Sequence, residues 1–62
     1  MIEFYDDEKK IAWVESSMVP PVGTKINIRK KTWLIVRVTY ALDYADEIQR
    51  RQMRANVDLV VC

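Results

Sequence analysis

The chain has 62 residues, 50% of them apolar and 31% charged, with a formal net charge of +1 and no histidine. That length allows one domain at most, residues 1–62, and a small one that buries only about 60% of its unfolded surface, while the apolar content is too high for a disordered tail. Lack of histidine removes the commonest general base and metal ligand, the single Cys62 cannot staple the fold, and no apolar run approaches the roughly 20 residues that span a bilayer.

Taken in chain order, Ile2 to Tyr5 reads as a short strand with Ile2 and Phe4 on one side. Asp6-Asp7-Glu8-Lys9-Lys10 has no apolar residue and reads as an exposed turn. Ile11 to Glu15 is a second strand that completes an N-terminal hairpin, with Trp13 expected in the core beside Phe4. Residues 16–24 hold both prolines and the only glycine. Proline fixes φ and removes a ladder donor, so this is an extended connection, with Val19 and Val22 expected to pack over an open end of the sheet. Lys25–Arg29 and Thr32–Asp43 form a second hairpin. Its long strand places Leu34, Val36, Val38, Tyr40 and Leu42 at a spacing of two, which predicts these facing inward and Trp33, Ile35, Arg37 and Thr39 facing outward. The link Arg29–Thr32 lacks the Gly or Asn of a tight hairpin turn, so a longer, bulged loop is expected. Between Asp43 and Gln52, Asp43 offers a cap, and the pairs Asp46–Arg50 and Glu47–Arg51 fit i,i+4 spacing. One or two helical turns are expected there, with a hairpin loop as the alternative. From Met53 the spacing of two returns through Ala55, Val57, Leu59 and Val61. The fold class is all-β or mostly β. The elements fit a small five-stranded barrel, SH3-like or OB-like, with a short helical turn or loop before the last strand.

Charge is unevenly placed. Residues 1–19 carry five acids against two lysines, residues 20–42 carry five bases and no acid, and residues 43–62 carry four acids against three arginines. The acidic start lacks the basic region of a signal peptide, so a cytoplasmic location is expected. Ser16-Ser17 has no evident base and reads as a turn. Asp6-Asp7-Glu8 lacks the spaced ligands and glycine of a calcium loop and reads as solvated. Gly23 alone cannot build a phosphate-cradling loop. No catalytic residue, metal site or cofactor is expected, and the protein is read as a non-enzyme.

The candidate binding surface, for protein or nucleic acid, is Trp33, Ile35 and Arg37 with Arg29, Lys30 and Lys31 beside them, because tryptophan with arginine is a frequent interface pairing. Burial of Trp33 under a neighbouring segment is the competing account. Arg50, Arg51 and Arg54 form a second basic cluster, with helix ion pairs as the plainer explanation. Val19-Pro20-Pro21-Val22-Gly23 before Lys25-Ile26-Asn27-Ile28, then Trp33-Leu34-Ile35-Val36-Arg37-Val38 and a closing Val57–Val61 strand, resembles small phage and prophage proteins with an SH3-like barrel. There a Pro-x-x-Gly turn introduces the strand pair. The resemblance implies a small accessory protein; many such proteins bind and block a host protein, and others are virion or DNA-associated parts. The function expected is a protein-binding module, a phage-type inhibitor or adaptor, with self-association into a homodimer left open and no membrane contact. The alternative is a barrel that binds single-stranded DNA or RNA through basic and aromatic residues.

Overall fold

Every alternating run in the sequence becomes a strand. The computed structural model describes residues 1–44 and 51–62, with side-chain packing described for residues 1–41 and 53–62. Five strands result: β1 (Ile2–Asp6), β2 (Lys9–Val14), β3 (Lys25–Ile28), β4 (Lys31–Tyr44) and β5 (Arg51–Val61). They form one sheet in the order β2-β1-β5-β4-β3. The pairs β1–β2, β3–β4 and β4–β5 are antiparallel, whereas β1 and β5 run parallel, Ile2 opposite Ala55 and Phe4 opposite Val57. The sheet is all-β among the described residues and curls into a half-barrel, consistent with a small-barrel fold. No helix of the described residues is long and apolar enough to cross a membrane.

The core lies on the inner face. Ile2 and Phe4 of β1, Trp33 and Ile35 of β4, and Ala55, Val57 and Leu59 of β5 are buried, with Ile11, Ala12, Val19, Ile26, Ile28 and Val38 packed against them. Val19 thus packs as expected, whereas Val22 is exposed. The alternation holds in β3 and from Ala55 to Leu59 of β5, where one face is drier than the other; in β1 Ile2 and Phe4 face the core as expected, but Glu3 between them is buried as well.

Two strands depart from the expected phase, and each departure is a β-bulge. In β4 the ladder with β5 shifts between Ile35 and Arg37. A bulge sets two residues against one and moves every later side chain by one step. Trp33 and Ile35 therefore share the inner face with Val38, and Val36 is the exposed extra residue. The expectation that Trp33 and Ile35 face outward is corrected: they are 6% and 0% exposed. In the first hairpin the ladder shifts between Phe4 and Tyr5, so that Ala12 lies opposite Phe4 and Trp13 opposite Glu3. An unbroken ladder from Asp6–Lys9 would have put Ile11 opposite Phe4 and Trp13 opposite Ile2. The bulge carries Trp13 out of the core, where it had been expected, to 59% exposure.

Turns close the hairpins tightly. Ile28 pairs with Lys31, leaving only Arg29 and Lys30 between the strands, at φ 52° and 65°. Positive φ at both central residues matches a type I′ turn, whose twist suits the flanking strands. The longer bulged loop expected here is therefore corrected, and the sheet holds two ordinary residues in a conformation that disfavours each by about 1–2 kcal/mol. The first hairpin turns at Asp7-Glu8, with Asp7 at φ 59°; Asp6, Lys9 and Lys10, expected in the turn, belong to the strands instead. In the connection, the Thr24 N–H donates to the Pro21 carbonyl, and Gly23 sits at φ 93°. A Cβ at Gly23 would meet no atom within 4 Å, so the glycine is needed for its backbone angle and not for space.

Between Asp43 and Gln52, residues 43, 44, 51 and 52 belong to strands and extend the β4–β5 ladder, Tyr44 opposite Arg51. At those positions the expected helical turns are replaced by strand. The rest of that expectation, including the ion pairs through Asp46, Glu47 and Arg50, lies outside the described residues.

Candidate functional site

The outer face is organised around one buried carboxylate. Glu3, at the middle of β1, is only 4% exposed although it points away from the apolar core. Its Oε2 accepts from Lys10 Nζ on β2 at 3.0 Å and from the Tyr5 hydroxyl at 3.3 Å, and its Oε1 lies 3.6 Å from Arg54 on β5. The Lys10 hydrogen bond, with the charges of Lys10 and Arg54 and the Tyr5 hydroxyl, outweighs burial and holds the Glu3 carboxyl below its ordinary range. A carboxylate taken from water needs such partners.

Trp13 stands directly across from Glu3 on β2, exposed. The curl of the sheet brings the β3–β4 turn toward β2, so that Arg29 joins Lys10, Ile11, Ala12 and Trp13 around a shallow cleft of about 310 Å³. An indole, an ammonium and a guanidinium thus share one surface. The bulge that turned Trp13 outward creates it. Sequence reading missed this site because β2 offers two apolar phases, Ile11 with Trp13 or Ala12 with Val14, and nothing in the residues selects between them.

The six residues of the expected surface are dispersed. Trp33 and Ile35 are core, the indole of Trp33 lying under Lys31, whose Nζ is 4.9 Å from the ring centroid. Arg29, Lys30 and Lys31 are exposed around the β3–β4 turn. Arg37 lies elsewhere: it is paired with Asp58 across the ladder and lines a cleft of about 540 Å³ with Asp6, Asp7, Glu8 and Asp58. The basic middle of the chain is therefore split: Arg37 lies among acids, Arg29, Lys30 and Lys31 gather at the β3–β4 turn, and Lys25 opens β3 opposite Leu34. Of the second cluster, Arg54 supports Glu3, while Arg50 and the side chain of Arg51 lie outside the described residues. Among the described residues, no group of three His, Cys, Asp or Glu side chains is placed to hold a metal.

On the inner side, Ile2, Phe4, Val14, Met18, Val19 and Ile26 help line an apolar groove of about 500 Å³ between the sheet and the connecting segment. It is an unfilled margin of the core and carries few polar groups to orient a ligand.

No protein-family model matches the chain, and no curated protein or solved structure matches it.

Proposed function

We propose that the protein is a non-enzymatic binding module for another protein, of the kind that phages encode as inhibitors or adaptors built on an SH3-like barrel, and that Trp13 with Lys10 and Arg29 is its contact surface. The observation that carries this reading is the exposed Trp13 beside two cations. A domain this small needs its large side chains for burial, and leaving an indole in water forgoes about 2–3 kcal/mol. Tryptophan and arginine are the residue types that dominate binding energy once a partner covers them. The flanking cations favour a partner with an acidic surface, which would also be steered toward them at low salt.

The test is affinity capture from bacterial lysate, read by mass spectrometry, with wild type beside Trp13→Ala and Arg29→Glu. Loss of the same captured protein in both variants, at unchanged thermal stability, is the expected result. Capture that survives both changes removes this surface from consideration. Trp33→Ala serves as the contrast: burial of Trp33 predicts about 3–5 kcal/mol of destabilisation, enough to unfold so small a domain.

A second reading is favoured by Lys25, Arg29, Lys30 and Lys31, all exposed around one hairpin. Such a cluster would hold phosphates of a single strand, with Trp13 as a stacking platform. Titration with single-stranded DNA and RNA at falling salt separates the two, since phosphate contacts give a steep salt dependence.

A further inference from the structure

The β4–β5 hairpin outruns its neighbours. On the far side of β4, β3 pairs only as far as Leu34, and Thr24 and Gly23 bond to Ile35. From Val36 to Tyr44, nine residues of β4 have no strand beside them among the described residues. On the far side of β5, β1 ends at Ile2 opposite Ala55, with the Met1 carbonyl accepting from Ala55. The hairpin beyond these points is a two-stranded arm, and a lone two-stranded ribbon is marginally stable in water.

The edges of β2 and β3 carry lysine or nearby proline, and beyond its bulge the free run of β4 carries neither. β2 opens with Lys9-Lys10, and β3 is four residues long, begins with Lys25 and follows a proline pair. Lysine, shortness and nearby proline are common devices that stop edges pairing. The free run of β4 is Val-Arg-Val-Thr-Tyr-Ala-Leu-Asp-Tyr. It has no lysine, glycine or proline and is rich in strand-forming types. Beyond the bulge its ladder with β5 is regular.

The hydrogen-bonding phase of that edge follows from the backbone bonds of Ile35 and Ala55. Ile35 directs its N–H and carbonyl outward to Thr24 and Gly23. Ala55 donates to Met1 and so faces β1, which leaves its ladder partner Tyr40 facing away from β5. Val38, Tyr40, Leu42 and Tyr44 therefore present the free backbone groups. A second copy can meet them only in a register that sets these residues opposite one another. Of the registers near the centre of the run, the one with Tyr40 opposite Tyr40 also sets Arg37 of one copy opposite Asp43 of the other, twice. Moving the centre to Thr39 or Ala41 leaves both charges unmatched.

We infer that the unpaired edge of β4 docks a second copy of this chain, antiparallel about a twofold axis through Tyr40, with Arg37 of each copy facing Asp43 of the other. The pairing is isologous, as a twofold dimer requires, and joins two arms into a four-stranded antiparallel ribbon. Positions 37 and 43 fall at the non-hydrogen-bonded pairs, where opposite side chains approach most closely. This inference is independent of the Trp13 surface, which lies on β2 at the other side of the sheet.

The test is light scattering and analytical ultracentrifugation of the whole chain in solution. Wild type is expected to shift from 7.3 kDa to twice that mass as concentration rises, and a monomer persisting at about 1 mM overturns the inference. Arg37→Asp and Asp43→Arg, each alone, place like charges at both contacts and are expected to dimerise at least tenfold more weakly. Mixed together they restore two attractive contacts and are expected to form the heterodimer. A wild-type-like dimer in either variant, or no heterodimer from two folded variants, refutes this register. Because Arg37→Asp also faces Asp58 within the chain, a second measurement uses wild type alone. Exchange of the Val38, Tyr40 and Leu42 amides is expected to slow at least tenfold from dilute to concentrated protein, and concentration-independent exchange at these amides overturns the inference.

Discussion

Glu3 shows how one side chain ties the outer face together. It draws Lys10 from β2 and Arg54 from β5 onto β1, so three adjacent strands meet at one carboxylate. Its carboxyl is held below its ordinary value by those partners. A group whose folded value is depressed contributes stability above the unfolded value and loses it as pH falls through the folded one. The thermal midpoint is therefore expected to drop as pH falls below about 4.5, the ordinary value for Glu. Glu3→Gln should be less stable near neutral pH and should lose part of that acid dependence. Equal acid sensitivity in the two proteins, followed by circular dichroism between pH 2 and 7, would show that other carboxylates account for it.

At the scale of the strand, the two bulges decide which tryptophan is core. The alternation in β1, β3 and β5 was legible because each has one apolar phase. That of β4 was legible only in part: of the expected inward stripe Leu34, Val36, Val38, Tyr40 and Leu42, Val38 packs against the core, Val36 and Tyr40 are exposed, the phase before Val38 is inverted, and the side chain of Leu42 lies outside the described residues. The one-residue insertion leaves no mark on composition, and Trp33 and Ile35 are as apolar as the residues they replace on the inner face. The tight Arg29-Lys30 turn was hidden for a different reason, since the ladder imposes a backbone angle those residues do not favour by themselves. If Val36 is the inserted residue, its deletion leaves Trp33, Ile35, Val38 and Tyr40 in one continuous alternation. That variant is expected to keep a cooperative melt within a few degrees of wild type. Deleting Thr39 instead throws Tyr40 and all that follows onto the wrong face, and its cooperative transition should disappear. Equal damage from both deletions would remove the bulge from the explanation.

For the molecule as a whole, the half-barrel leaves free edges that a fully closed barrel would not have, and the arm of β4 and β5 is the longest of them. If copies pair there, folding and association are linked. The melting temperature is then expected to rise with protein concentration, as it does whenever the native state alone is bound, and to do so less in Asp43→Arg. A midpoint unchanged over a hundredfold range of concentration would leave the fold standing alone. The candidate contact surface at Trp13 is unaffected by either outcome, because β2 and the β4 arm lie on opposite sides of β5.

The central strand, β5, is also the last of the five in sequence, and it pairs in parallel with the first of them. During synthesis, the two earlier hairpins therefore emerge with nothing between them, each too small to persist by itself. The five-stranded sheet can be completed only once residues 51–61 are available to slot into the gap, joining strands some fifty positions apart in sequence. Nascent chains stalled before that point would remain protease-sensitive, and loss of the final strand would remove the keystone and leave no smaller folded remnant.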